Sequence, residues 1–206
     1  MMESNFDRKS RDWDKKQTRR EMAAAVALSI AELPLHSSML AMDFGCGTGL
    51  ISLPLAPKLG KIIALDSSPG MIEVLRQKIE EQGITNIEGY LGEIAVIELP
   101  QDFDLIFTSM TLHHIADIDT VLTRFSELLK PGGLLAVADL DAEDGSFHKA
   151  GSEEQHHGFD RHLLSTKLQE RGFADIGFRT VHTISKETED GTQRNFTVFL
   201  ATAEKT

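Results

Sequence analysis

Cysteine occurs once in the 206 residues, as Cys46. An internal disulfide framework is therefore impossible, and the count fits a reducing compartment. Apolar runs are short, and none approaches the ~18 residues that a membrane span requires. The first residues contain no apolar core of a secretory signal, and Glu3, Asp7, Asp12 and Asp14 argue against a transit peptide. A cytoplasmic location is the expectation. Positive charge is scarce too, with 21 Lys and Arg against 32 Asp and Glu, for a net charge of −11. A surface of that sign repels a phosphate backbone, so nucleic acid is not an expected partner. Internal repeats and low-complexity stretches are absent.

What the chain does have is apolar content and a regular alternation of patterns. Hydrophobic residues make up 41% of it, enough for one compact domain with a substantial core. Residues 1–34 form a charged and then alanine-rich helical segment, halted by Pro34, that could act as a lid. Residues 35–206 then read as one domain. Strands are expected at 39–44, 61–65, 86–91, 103–108 and 134–140, the last a continuous apolar run suited to burial on both faces. Helices are expected at 50–59, where Pro54 and Pro57 must shorten or kink the pattern, and at 69–82, 118–129 and 161–171. Segments 174–184 and 195–203 read as a closing hairpin around 187–191. The alternation demands an α/β three-layer sandwich: a mostly parallel, seven-stranded Rossmann-like sheet with an antiparallel C-terminal hairpin at its edge.

In such sheets ligands bind beyond the carboxyl ends of the strands. Gly45, Gly47 and Gly49 lie where the first strand turns, and a glycine cluster there lets a ligand lie against backbone. Asp66 ends the second strand, near the ~20-residue offset of a ribose-binding acid. It also suits a helix N-cap, since Ser67, Ser68 and Pro69 follow. A dinucleotide site would place its third glycine one residue later, where Leu50 stands.

Taken in order, these motifs resemble those of class I S-adenosylmethionine-dependent methyltransferases, in particular the small group that includes the ubiquinone and menaquinone enzymes. The resemblance rests on Asp43-Phe-Gly-Cys-Gly-Thr-Gly49, Ile63-Ala-Leu-Asp66, Gly92-Glu-Ile94, Phe103-Asp-Leu-Ile-Phe-Thr-Ser109, Leu112-His-His-Ile115 and Glu127-Leu-Leu-Lys-Pro-Gly-Gly133. It implies S-adenosylmethionine as cofactor. Asp43 and the loop of Gly45, Cys46, Gly47 and Gly49, with backbone near Thr108 and Met110, would face its methionine part. Asp66 would hold the ribose, Ser67 and Met71 would flank the adenine, and Gly92, Glu93 and Ile94 would meet the adenine edge. Met71 suits an ordinary core position equally well, and Cys46 reads as a small loop residue and not a nucleophile.

His113 and His114 follow the fourth strand and are the candidate catalytic bases, although the pair could simply pack its turn. The resemblance also implies that Trp13, beside Asp12 and Asp14, and His157, in His157-Gly-Phe-Asp160, line the acceptor side. The acids and histidines from Asp139 to His148, and again from His156 to Asp160, match no metal signature. They read as a solvated acidic loop, and no metal is expected. A small-molecule methyl acceptor is expected, while its identity and the oligomeric state stay open. A nonenzymatic S-adenosylmethionine-binding module and, less favoured, a dinucleotide oxidoreductase remain alternatives.

Overall fold

A computed structural model describes residues 5–148 and 154–206. Residues 1–4, with Glu3 of the sequence reading, and 149–153 lie outside them. Seven strands form one sheet: β1 (Leu40–Phe44), β2 (Lys61–Asp66), β3 (Ile87–Leu91), β4 (Phe103–Ser109), β5 (Leu129–Leu140), β6 (Phe173–Glu187) and β7 (Gln193–Lys205). Their order is β3-β2-β1-β4-β5-β7-β6. The first five are parallel neighbours, and β7 is antiparallel to both β5 and β6. The closing hairpin does occupy the edge, but its outermost strand is β6. The antiparallel strand β7 sits one place in, where seven residues from Val198 to Glu204 pair with β5.

Among the described residues six α-helices accompany the sheet: α1 (Asn5–Lys9), α2 (Gln17–Ile30), α3 (Ser52–Leu55), α4 (Pro69–Glu81), α5 (Ile118–Leu128) and α6 (Arg161–Gln169). A 3₁₀ turn, Ser10–Lys15, joins α1 to α2. The helix expected over 50–59 is reduced to one turn of α3 and a 3₁₀ turn, Ala56–Lys58. Pro54 and Pro57 supply no amide hydrogens, and the side chain of Asn86 caps the free carbonyls of Ala56 and Leu59 at 2.8 and 2.9 Å. α4 begins as its sequence requires: Ser68 caps it through the Met71 amide, Pro69 opens it, and Gly83 leaves it at φ +65°. The Pro131-Gly-Gly133 turn is absorbed into β5 as a bulge between the Phe103–Leu129 and Leu105–Leu134 pairs, with Gly132 at φ +75°.

Strand alternation divides the core into two layers. Ile62 and Ala64 of β2 pack with Val26, Ile30, Ile72 and Leu75 from α2 and α4 on one face. Ile63 and Leu65 pack with Val121, Leu122, Phe125 and Leu164 from α5 and α6 on the other. Phe125 is fully buried and meets the Phe44 ring edge-on at 5.3 Å. Its burial anchors α5 beneath the end of β1, so Phe125→Ala should cost about 3–5 kcal/mol in urea unfolding. A loss under 1 kcal/mol would show that α5 is not held there.

Candidate active site

A cleft of about 670 Å³ opens at the carboxyl ends of β1, β2 and β4, where the sheet reverses its winding order. Its floor is the glycine loop. Gly45 takes φ +69°, and a Cβ there would fall 2.3 Å from the Thr111 side chain. Gly49 takes φ +82°, and a Cβ would fall 2.5 Å from Leu75. Both glycines are therefore demanded by close packing as well as by backbone conformation. The loop is tied to β2 by amides of Gly45 and Cys46 donating to the Leu65 carbonyl, at 2.8 and 3.1 Å.

Two acids converge beneath this loop. Asp66 accepts the Gly47 amide on one oxygen and the Ser68 amide on the other, each at 2.8 Å. Each oxygen keeps a lone pair for a further donor. Burial raises the Asp66 pKa, and the two amide bonds oppose that rise. Asp43 is 2% exposed and accepts the Ser52 hydroxyl at 2.5 Å. Burial pushes its pKa up to about 7, against the opposing Ser52 bond and with help from the charge of Asp66. The Cys46 thiol is pushed well upward by burial and then by Asp43 and Asp66, so it stays protonated and is no nucleophile.

Thirteen of the residues expected in the site line the cleft: Asp43, Gly45, Cys46, Gly47, Asp66, Ser67, Met71, Gly92, Glu93, Ile94, Met110, His114 and Trp13. Four do not. Gly49 packs behind the loop, and Thr108 is buried with its hydroxyl donated to the Phe44 carbonyl at 2.8 Å. His113 is 1% exposed and lies behind the wall, its Nδ1 2.6 Å from Asp139 Oδ1. The His157 side chain is 59% exposed and lies 3.7 Å from Glu143. Met71 satisfies both of its readings, being 1% exposed and still part of the cleft wall. Met110 holds φ +52°, fixed by its amide bond to the Ala138 carbonyl, and that kink turns Thr111 and His114 toward the cleft.

The N-terminal segment covers the opposite side. Asp7 accepts the Ser68 hydroxyl at 2.6 Å and the Gly70 amide at 3.0 Å. Asp14 accepts the Thr48 hydroxyl at 2.6 Å and pairs with Lys78, which also donates to the Thr48 carbonyl at 2.8 Å. Phe6, Trp13, Arg19 and Met22 thereby line the cleft, with the Arg19 guanidinium 3.6 Å over the Trp13 ring. Of these only Trp13 stands out in the sequence. The carboxylates that moor the segment look like ordinary solvated charges there.

The acidic reading of the region after β5 needs correction. Asp139 is fully buried against His113, and Asp141 pairs with Arg161 and accepts the Thr197 hydroxyl. These two acids are structural partners, whereas Asp144 and Asp160 are exposed as a solvated loop requires.

A cleft of this build on a sheet of this order is the architecture of class I S-adenosylmethionine-dependent methyltransferases. A methyltransferase domain model matches residues 35–190, and the chain belongs to that family. It is 35% identical over 120 residues to a ubiquinone biosynthesis O-methyltransferase of Cereibacter sphaeroides, covering 58% of this chain and 48% of the relative. The chain thus spans about half the length of the curated relatives it matches. An S-adenosylmethionine-dependent methyltransferase of Aquifex aeolicus superposes with a TM-score of 0.73 at 21% identity, covering 97% of this chain and 98% of that one. Phosphoethanolamine N-methyltransferase 2 of Haemonchus contortus, solved with S-adenosylmethionine, gives a TM-score of 0.72 at 18% identity, covering 87% and 52%. These matches lend no support to a dinucleotide oxidoreductase or to a nonenzymatic module.

Asp43 gives the site a measurable signature. Its folded pKa lies above the unfolded value of 3.8, so its contribution to stability is complete below that value and is lost as pH rises toward 7. Asp43→Asn should therefore match the wild type near pH 4 and exceed it by about 4 kcal/mol at pH 8, in urea unfolding without ligand. Stability curves that run parallel across this range would contradict the burial argument.

Proposed function

We propose that this chain transfers a methyl group from S-adenosylmethionine to a small molecule bound between the glycine loop and the N-terminal segment. The observation that carries the reading is the convergence of Asp43, Asp66 and the glycine loop on one covered cleft. The site fits the cofactor. A carboxyl held near pH 7 by burial ionises readily once a cationic ammonium arrives, and Asp66 has lone pairs for two ribose hydroxyls. Met71 and Ile94 offer apolar contact to a purine. When bound, S-adenosylmethionine supplies a methyl carbon already activated by a positive sulfur. The protein's work is then alignment, water exclusion and handling of the acceptor's proton.

Residues 1–34 act as the lid in this reading, moored at Asp7 and Asp14. Phe6, Trp13, Met22, Ile115 and Val121 form a largely apolar acceptor wall, with His114 as the polar group set in it. That combination favours an acceptor with an apolar or aromatic body and an ionisable oxygen, in keeping with the O-methyltransferase relative. His114 takes the hydroxyl proton as the new oxygen–carbon bond forms, and the electron pair of the breaking carbon–sulfur bond stays on sulfur. His113, locked to Asp139, positions its neighbour. We place the reaction in the cytoplasm, where the lone Cys46 stays reduced, and assign no nucleic acid partner.

Asp66→Ala should weaken S-adenosylmethionine binding by about 1.5–3 kcal/mol in calorimetric titration. Unchanged affinity would remove the ribose assignment, and tight NADH binding in its place would overturn the whole reading. Incubation with a labelled methyl donor and a metabolite extract should yield labelled product. With that product in hand, His114→Ala should retain cofactor affinity and lower turnover by about 10²–10⁴-fold if it removes the acceptor's proton. An unaltered rate would eliminate His114 as the base.

A further inference from the structure

Three histidines from two separate stretches meet beside the cleft, which His114 lines. His113 and His114 come from the 3₁₀ turn after β4, and His148 from the chain beyond β5. One ring nitrogen from each lies within 4.8 Å of the others. Their ring centroids are 4.1, 5.0 and 5.5 Å apart. We propose that His113, His114 and His148 form a binding site for a divalent transition metal ion of the zinc type, open toward the acceptor side of the cleft.

Three features beyond proximity support this. First, His113 is held as metal-ligating histidines are held: its Nδ1 faces a buried carboxylate, which leaves Nε2 as the donor and raises its basicity. Asp139 is itself fixed, accepting the Leu140 amide at 2.8 Å and the His113 amide at 3.3 Å. Second, the donors are three imidazoles without a carboxylate. This set suits zinc, cobalt, nickel or copper and not the oxygen-seeking magnesium or calcium. Third, the rings are wrapped in apolar surface, with Phe6 edge-on to His114 at 5.2 Å and Phe147 edge-on to His148 at 4.8 Å.

Bond lengths near 2.0–2.1 Å in a tetrahedral site place nitrogens about 3.4 Å apart, so the ring nitrogens must close by roughly an ångström. Three protein ligands leave a coordination position free, as in catalytic zinc sites. His114 lines the cleft, and an acceptor oxygen that completed the coordination from that side would be polarised by the ion. With the ion bound, His114 would be a ligand in place of a base, and the coordinated acceptor hydroxyl would lose its proton to water before its oxygen takes the methyl group. This last step rests on the acceptor reading above; the ion site itself does not. It reverses the expectation from sequence spacing, which no regular motif spanning residues 113–148 could have revealed.

The test uses the full chain after chelator treatment, titrated with Zn²⁺ by calorimetry and with Co²⁺ by visible absorption. We expect one ion per chain and the intense d–d bands of a four-coordinate cobalt site. His148→Ala should lose at least tenfold in Zn²⁺ affinity while its S-adenosylmethionine affinity is unchanged. Asp139→Asn, which removes no ligand, should weaken Zn²⁺ by about 10–100-fold if it folds. Absence of stoichiometric binding, or binding indifferent to His148→Ala, would overturn the proposal. A parallel S-adenosylmethionine titration of the wild type keeps the two readings separate, since failure there would sink the proposed reaction and leave the ion result standing.

Discussion

Two carboxylates on adjacent parallel strands, Asp43 and Asp66, are withdrawn from water beneath one glycine loop, and the geometry around the cleft depends on how each is satisfied. Asp66 takes the Gly47 amide and so sets the height of the loop above the sheet. Asp43 takes the Ser52 hydroxyl and so holds the start of α3 against β1. Among the described residues, neither acid pairs with a lysine or arginine; their partners are Ser52 and the amides of Gly47 and Ser68. The unliganded protein thus keeps an electrostatic deficit where a positively charged ligand would remove it. Stability and affinity are set against each other at Asp43, a common arrangement in binding sites that must recognise charge.

Much of the architecture was legible because it depends on local patterns. Residues 134–140 could hardly be anything but a doubly buried strand, and Ser68, Pro69 and Gly83 mark the ends of α4 by their individual chemistry. The glycine loop was legible for the same reason, since Gly45 and Gly49 answer to backbone conformation. What could not be read depends on partners distant in sequence. Thr48 and Asp14 are 34 residues apart, and His113 and Asp139 are 26 apart. No periodicity links such pairs, so Asp139 looked solvated and the mooring acids looked idle. His157 was misplaced on the same account, for its position follows from a loop path and not from any pattern.

The histidine pair shows how position alone can mislead. Adjacent residues on a tight turn point in different directions, so His113 and His114 have opposite environments: one enclosed with a carboxylate, the other facing the cleft. Treating them as interchangeable candidates obscures a division of labour, in which the buried ring and Asp139 stiffen the turn that presents the cleft-lining ring. Asp139 is the penultimate residue of β5, so the rigidity of the central sheet is passed directly to the rim of the cleft.

The place of β7 has a consequence for how the molecule comes into being. β6 touches the rest of the sheet only through β7, which follows it in the chain and slots between it and β5. During synthesis β6 therefore emerges with no docking edge of its own, and the apolar stretch Val198–Ala201 must arrive before that half of the sheet can close. Until then β5 presents an unpaired edge to its surroundings, the condition in which nascent chains most need protection from one another.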